Sequence, residues 1–120
     1  MFIGPCLSKK DEADYDGIDA ALTFEELASM LDAAGIELKQ EPDSEDKKGL
    51  ARLFPTNGGI LKTMRRKNPA YTYFSVDGVE NCKNVLEDIA SGNLHRCFIE
   101  MSACVGSCAG GPVMQKKRNT

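Results

Sequence analysis

Two cysteines near the end of the chain, Cys104 and Cys108, stand four positions apart and are followed by Gly110, Gly111 and Pro112. Thiolates on a loop of small residues can converge on an iron–sulfur cluster, because backbone amides are able to approach the sulfurs. A redox pair normally has two intervening residues rather than three. A phosphate-binding loop would carry Lys and Ser or Thr after its glycines. The spacing alone leaves three interpretations open: a cluster loop, a zinc site, or a glycine-rich turn with two incidental thiols.

A third cysteine, Cys6, begins a charged segment that also contains Lys9 and Glu12. A zinc site would combine Cys6 with the two cysteines of the later loop and take His95 as a distant fourth ligand. Lys9 would place an ammonium group beside whatever the Cys6 thiolate binds, and Glu12 would lie near the same site. A solvated segment of mixed charge is the simpler interpretation of these residues.

The composition excludes several classes of protein. The 120-residue chain has 42% hydrophobic and 28% charged residues, which is ordinary for one globular domain over residues 1–120. Its net charge of −3 offers no basic face for nucleic acid. No apolar run approaches the ~18 residues of a membrane span, and the N-terminal apolar stretch is too short for a signal peptide. These two features predict a cytoplasmic, reducing location. Five cysteines, an odd number, argue against a disulfide framework.

The elements that must position these residues alternate between strand and helix patterns. Strands are predicted in MFIGP, IDAALT, AYTYFSV and RCFIEMSA, helices in TFEELASMLDAAG, ILKTMRRK and VENCKNVLEDIASG, and a charged loop in KKDEADYDG. Helices between strands predict an α/β domain with a mainly parallel sheet flanked by helices. Ligands bind at the carboxyl ends of the strands in such sheets. Cys6 follows the first predicted strand and Cys104 follows the last, so both lie where a ligand is expected.

Local patterns refine these elements. Thr23 and Glu26 form a capping box that starts the first predicted helix. Residues 36–57 contain the polar stretch KQEPDSEDKKG, which predicts an exposed excursion within the domain. In the last helix the apolar positions are predicted to face inward; they are Val79, Cys82, Leu86 and Ile89. Cys82 and Cys97, the latter within a strand, are therefore predicted to be small apolar residues of the core.

Five segments together resemble the iron-only (FeFe) hydrogenases, in the C-terminal part of their catalytic large-subunit domain. The segments are PCLSKKDE, IDAALTFEELASML, FPTNGGILKTMRR, VDGVENCKNVLEDIASG and FIEMSACVGSCAGGP. Two motifs are specific: Pro–Cys–x–x–Lys–x–x–Glu from Pro5, and Glu–x–x–Ala–Cys–x–x–x–Cys with trailing glycines from Glu100. The resemblance covers nearly the whole chain in the family's order. It implies one lobe of the iron hydrogenase catalytic domain.

The resemblance also implies roles for individual residues. In this family four cysteines hold a four-iron cubane, a 4Fe–4S cluster, and one of them bridges to a two-iron subsite with CO and cyanide ligands. The two together form the H-cluster. Cys6 and Cys104 would be cubane ligands, and Cys108 would be the ligand that also bridges. Lys9 would hydrogen-bond a cyanide of the subsite, and Glu12 stands at a position implicated in proton relay.

Three further positions are informative within the resemblance. Gly58–Gly59 matches a glycine pair that starts a helix next to the cluster. Gly4 and Ser102 stand where the well-studied enzymes carry Met, and the Met at the second position packs around the two-iron subsite. Both changes are similar to the divergent, sensory branches of the family, whose whole proteins carry ferredoxin-like or PAS modules.

One family motif, Thr–Ser–Cys–Cys–Pro or a relative, is absent from the sequence. It supplies the fourth cubane ligand and, in active enzymes, the cysteine that hands protons to the metal. We therefore expect a fragment whose partner is the remainder of the hydrogenase catalytic domain, and which alone lacks a complete cluster and does not turn over hydrogen. The parent would interconvert protons and hydrogen, or sense hydrogen. The alternatives are a non-hydrogenase iron–sulfur or cluster-assembly protein of the same fold, and a structural zinc-binding α/β module.

Overall fold

The computed structural model describes residues 1–39 and 49–114 of the chain. The chain divides into two compact units, one of Met1–Lys47 with Pro112–Thr120 and one of Lys48–Gly111. The excursion predicted over 36–57 falls largely on residues 40–48, which lie outside the described residues. Its exposure as a whole therefore stays a prediction.

The first unit is a strand–helix–strand–helix arrangement. β1 (Phe2–Ile3) pairs in parallel with β2 (Ala21–Leu22), and α1 (Ser8–Tyr15) lies between them in the sequence. Parallel neighbours require such a crossover, because a tight turn can join only antiparallel strands. α2 (Phe24–Ala33) follows β2 after a single residue.

The start of α2 has the predicted capping box. The Thr23 hydroxyl accepts a hydrogen bond from the Glu26 amide at 3.2 Å, and the Glu26 carboxylate accepts one from the Thr23 amide at 2.8 Å. Lys10 of α1 also donates to both Glu26 carboxylate oxygens, at 2.7 and 2.8 Å. The Lys10 ammonium, followed by the Thr23 amide, holds the pKa of Glu26 below its usual range.

The prediction of a loop over KKDEADYDG is wrong, because Ser8–Tyr15 form α1. Lys, Glu and Ala are good helix formers, and Lys9 pairs with Glu12 one turn away. Ala13 is the one buried residue of this helix. A helix that is polar on nearly all sides has no apolar periodicity, which is the signal that sequence analysis uses to detect helices.

The second unit repeats the crossover with longer strands. Its elements are a 3₁₀ turn at Leu50–Leu53, α3 (Gly59–Thr63), β3 (Thr72–Asp77), α4 (Val79–Ala90), β4 (Cys97–Ser102) and a 3₁₀ turn at Cys108–Gly110. β3 and β4 pair in parallel, in register from Thr72 opposite Cys97 to Asp77 opposite Ser102. The predicted α/β class with parallel strands is confirmed. The strands form two separate two-stranded pairs.

α3 is shorter than the helix predicted over ILKTMRRK. It ends at Thr63, and Met64 is already extended. Continuing the helix would place Lys62 next to Arg65 and Arg66, and like charges three or four positions apart destabilise a helix. Asn68 precedes a proline, which further disfavours helical backbone there.

The second helix of this unit, α4, does not bury its apolar stripe. Val79 is 56% exposed and Leu86 54% exposed, Ile89 is exposed as well, and Cys82 is half-buried. The prediction that these residues are covered by a core is therefore wrong for Val79, Leu86 and Ile89. The Cys82 thiol does face the strands, since it lies 3.9 Å from the Val76 carbonyl and 3.6 Å from the Ser102 carbonyl. The amphipathic spacing is present, but a two-stranded sheet offers too little surface to cover a twelve-residue helix. In the described part of the chain, the buried apolar side chains are those of Ala13 and Leu61.

Candidate metal centre

The loop from Cys104 to Cys108, which we call the cysteine loop, leaves the carboxyl end of β4 after a single residue. Its backbone closes on itself in successive tight turns. The Ser107 amide donates to the Cys104 carbonyl at 2.9 Å, the Gly110 amide to the Ser107 carbonyl at 3.0 Å, and the Gly111 amide to the Cys108 carbonyl at 3.1 Å. Each cysteine thus has its carbonyl fixed by an amide three residues later.

Two glycines allow these turns to pack together. A Cβ on Gly110 would lie 2.0 Å from the Val105 carbonyl oxygen, which is a severe clash with backbone. Gly106 has a φ of +83°, and a Cβ there would lie 3.2 Å from the Gly110 Cα. The small residues that sequence analysis associated with a cluster loop are therefore required by the loop's own close backbone approach.

Ser107 lies in a backbone conformation that is otherwise almost restricted to glycine. Its φ is 61° and its ψ is −156°, a region that costs a residue with a side chain about 1–3 kcal/mol. The residue is only 3% exposed, and its hydroxyl lies 3.0 Å from the Ser102 hydroxyl at the end of β4. The surrounding hydrogen bonds thus hold a strained residue immediately before Cys108.

Asp77 ends β3 and reaches the cysteine loop. Its Oδ2 accepts a hydrogen bond from the Gly106 amide at 2.7 Å and another from the Asn57 side-chain amide at 3.2 Å. Sequence analysis missed both Asp77 and Ser107. The available signal for Asp77 was a polar residue before Gly78 at the carboxyl end of a parallel strand, where ligand sites form.

The Gly58–Gly59 turn borders the cysteine loop. Gly58 has a φ of +70°, and a Cβ on Gly59 would lie 1.7 Å from the Leu53 carbonyl oxygen. The Pro55 carbonyl accepts a hydrogen bond from the Ala109 amide at 2.9 Å, which joins this turn to the segment after Cys108. The structure therefore places the predicted glycine pair beside the predicted ligand loop.

Glu100, the first residue of the second sequence motif, is a buried carboxylate of β4. It is 6% exposed, and its Oε2 accepts a hydrogen bond from the Leu61 amide of α3 at 3.0 Å. It thus fixes the helix that starts at the glycine pair against the strand that leads into the cysteine loop.

In the first unit, Cys6 and α1 bring three predicted site residues together. Lys9 and Glu12 form an ion pair one helical turn apart. The hydrogen bond to the Glu12 carboxylate raises the pKa of Lys9, against a smaller opposing effect of desolvation, and the nearby Cys6 adds to the rise. Cys6 itself is half-buried. A thiol, a cation and a carboxylate thus share one end of α1.

All five cysteines are free thiols. Cys108 is exposed, and Cys6 and Cys104 are half-buried. His95, the fourth ligand of the alternative zinc site, is exposed. Within residues 1–39 and 49–114, no group of three or more His, Cys, Asp and Glu side chains is gathered closely enough to hold a metal ion.

The residue types fit an iron–sulfur cluster. Thiolates are the protein ligands of such clusters, and a loop of small residues lets backbone approach the sulfurs. Cys104 and Cys108 stand on a loop whose tight shape is set by its own backbone, and both thiols are accessible. Cys6 offers a thiolate ligand of the same kind as Cys104 and Cys108.

A family model described as "Iron only hydrogenase large subunit, C-terminal domain" matches residues 1–74 and 62–112. The matched ranges include both cysteine-bearing motifs, from Pro5 and from Glu100. No curated protein matches the chain. None of the helices in the described ranges is both long and apolar enough to cross a membrane.

Proposed function

Because the chain belongs to the family of the iron-only hydrogenase large subunit, C-terminal domain, we propose that it is the cluster-binding lobe of an FeFe-hydrogenase-like protein. The family is that of a hydrogenase-type catalytic domain. The observation that carries the finer proposal is the cysteine loop, which follows the carboxyl end of a parallel strand and carries one exposed and one half-buried thiol on tightly wound backbone.

Cys6, Cys104 and Cys108 would hold a 4Fe–4S cluster, with Cys108 also bridging to a two-iron subsite. When bound, these metals would relay electrons exchanged with a redox partner and provide the site at which protons and hydrogen interconvert. Three thiolates leave one position of a cubane without a ligand from this chain. The fourth ligand would come from the remainder of the hydrogenase catalytic domain, and this chain alone would not turn over hydrogen.

Lys9 and Glu12 would act around the metals without ligating them. The Lys9 ammonium, whose pKa the hydrogen bond to Glu12 raises further, would donate a hydrogen bond to an anionic ligand of the subsite. Glu12 is half-exposed, so its carboxylate has access to water and would relay protons toward the metals. The pair would combine charge stabilisation with proton transfer.

The surface of the second unit that faces the cluster would be shaped by three small residues, Ser102, Gly58 and Gly59. The Ser102 hydroxyl lies against the cysteine loop, 3.0 Å from the Ser107 hydroxyl. A polar residue in this position supports a low-turnover, hydrogen-sensing role over bulk catalysis. In that role ferredoxin-like or PAS modules of the same protein would exchange electrons or relay the signal.

The exposed apolar stripe of α4 supports the proposal that a large segment of the same protein packs against this chain. Val79, Leu86 and Ile89 are exposed on a helix with amphipathic spacing. Exposed apolar patches of this kind mark surfaces that another protein segment covers. We propose that the remainder of the catalytic domain packs there.

The test is anaerobic iron–sulfide reconstitution of the chain, with and without a polypeptide that supplies the Thr–Ser–Cys–Cys–Pro motif. Iron content and EPR are the measurements. We expect a stable four-iron signal only in the presence of that polypeptide. Stoichiometric zinc would instead favour a structural zinc module, and a stable cluster in the chain alone would favour an iron–sulfur protein of another kind.

A further inference from the structure

Asp77 and Ser102 are the last register pair of the β3–β4 ladder, and each contacts one residue of the cysteine loop. Asp77 binds the amide of Gly106, and Ser102 binds the hydroxyl of Ser107. The Gly78 amide also donates to the Ser102 carbonyl at 2.9 Å, so the two strand ends are joined. Consecutive loop residues between the two cysteines are thus attached to adjacent strand ends.

The Asp77 contact is the stronger of the two. An ionised carboxylate accepting from a backbone amide makes a charge-assisted hydrogen bond, and 2.7 Å is a short distance for this type. The Gly106 amide has to point at Asp77 for the bond to form, which the residue's φ of +83° permits. The orientation of the peptide group between Val105 and Gly106 is thereby fixed.

The Ser107 contact explains why a strained residue is not a glycine. Glycine would adopt the conformation of Ser107 without cost, but it would lack the buried hydroxyl that bonds Ser102. The Ser107 amide and carbonyl are also used, in bonds to Cys104 and from Gly110. Side chain and backbone together fix this residue.

We propose that Asp77 and Ser107 are positioning residues that hold the cysteine loop in its metal-binding shape before any metal arrives. The proposal rests on the proposed function only in taking Cys104 and Cys108 as ligands. A loop that is already shaped loses less conformational entropy when it binds, so metal is captured more tightly.

The main test is amide hydrogen exchange, measured by NMR on the full metal-free chain. In Asp77→Ala, the Gly106 amide should exchange roughly tenfold faster or more, because its charged acceptor is gone. Amides of the β3–β4 ladder should keep their rates. Asp77→Asn retains an oxygen acceptor without the charge and should restore part of the protection. Asn57→Ala is the matched control, since it removes the other bond to Asp77 and should leave Gly106 unchanged.

Cysteine alkylation gives a second, independent measurement of how readily the cysteine loop opens. Cys104 and Cys97 are both half-buried, and Cys97 lies at the opposite end of β4, so their alkylation rates with iodoacetamide form an internal comparison. Asp77→Ala should speed the reaction of Cys104 and leave that of Cys97 unchanged. Equal acceleration at both cysteines would mean that the whole unit loosens and would overturn the proposal, as would unchanged exchange at Gly106.

Ser107 is tested separately. Ser107→Ala keeps the strained backbone and removes the hydroxyl, and Ser107→Gly removes both the strain and the hydroxyl. Both variants should speed exchange of the Gly110 amide, which donates to the Ser107 carbonyl, whereas Ser102→Thr keeps a hydroxyl and should leave it protected. Unchanged exchange in Ser107→Ala would remove Ser107 from the proposal.

These measurements need no cluster, so the two proposals fail in different ways. Failed reconstitution with normal exchange results would reject the cluster assignment and keep the positioning roles. If reconstitution succeeds, Asp77→Ala should also broaden the EPR signal, because the loop then holds the cluster in several conformations.

Discussion

In the first unit, Lys9 and Glu12 hold each other by an ion pair near the surface. In the second unit, backbone hydrogen bonds, a buried hydroxyl and the Asp77 carboxylate hold the cysteine loop. The first arrangement depends entirely on protonation and salt, because exposed ion pairs are weak and screened. The second depends mainly on the exact size of a few residues, because close-packed backbone has no room to adjust.

This difference matters for chemistry at a metal site. In the proposed roles, residues that transfer protons need access to water and must change charge, which suits the half-exposed pair on α1. Residues that hold metal must keep one geometry through repeated changes of charge, which suits the cysteine loop. Changes of charge or pH should therefore act mainly on the first unit, and changes of residue size mainly on the cysteine loop of the second.

The largest effect is expected from Gly110→Ala. The added Cβ would meet the Val105 carbonyl oxygen at 2.0 Å, so the loop has to open, at a cost of about 3 kcal/mol or more in free energy of unfolding. Urea denaturation measures this. Gly49→Ala is the matched control, since a Cβ there meets nothing within 4 Å. Equal stability of the two variants would contradict the close packing of the loop.

A smaller loss is expected from Glu100→Ala. The substitution removes the buried carboxylate that accepts from the Leu61 amide, and a hydrogen bond to a charged group contributes about 1.5–3 kcal/mol. Thermal unfolding should show a lower midpoint than in Glu80→Ala, whose carboxylate is on the surface. A Glu100→Gln variant keeps an oxygen acceptor and should recover part of the lost stability. A Gln variant whose midpoint is no higher than that of the Ala variant would argue against a hydrogen-bonding role.

In the first unit, Thr23→Ala should cost about 1 kcal/mol, the usual effect of losing an N-cap side chain. The change in urea midpoint, followed by helical circular dichroism, is the measurement. Thr23→Ser keeps the capping hydroxyl and serves as the control. A Ser variant as unstable as the Ala variant would show that the methyl group, and not the cap, is responsible.

The smallest effect is a pH dependence at Glu26. Its pKa is lowered in the folded chain, first by the hydrogen bonds from Lys10, so the stabilisation is present above the unfolded pKa of about 4.3 and is lost as the pH falls through the folded value. In Lys10→Met the Glu26 pKa should rise toward its ordinary value. NMR titration of the Glu26 carboxyl tests this, and an unchanged midpoint would show that the ion pair is not formed in solution.

The sequence predicted best those elements whose signals are local. The Thr23–Glu26 capping box, the long helix α4 and the strands before the two cysteine motifs all appear in the structure. The helix α1 was missed because its residues carry helix propensity but almost no apolar periodicity.

Contacts between distant residues could not be predicted in this way. Asp77 lies 29 positions before Gly106, and no local pattern links a strand-end carboxylate to one amide of a remote loop. The strain at Ser107 is likewise invisible in sequence, since serine commonly occupies ordinary backbone conformations. The exposure of α4 depends on how much sheet is available to cover it, which periodicity does not report.

The sparse set of buried apolar side chains has a thermodynamic consequence. The heat-capacity change of unfolding comes mainly from apolar surface that becomes hydrated, so a chain that buries little has a small one. Its stability then varies little with temperature, and its melting transition is broad. Covering the apolar stripe of α4 with a partner would increase that heat capacity and sharpen the transition, so calorimetry can register assembly directly.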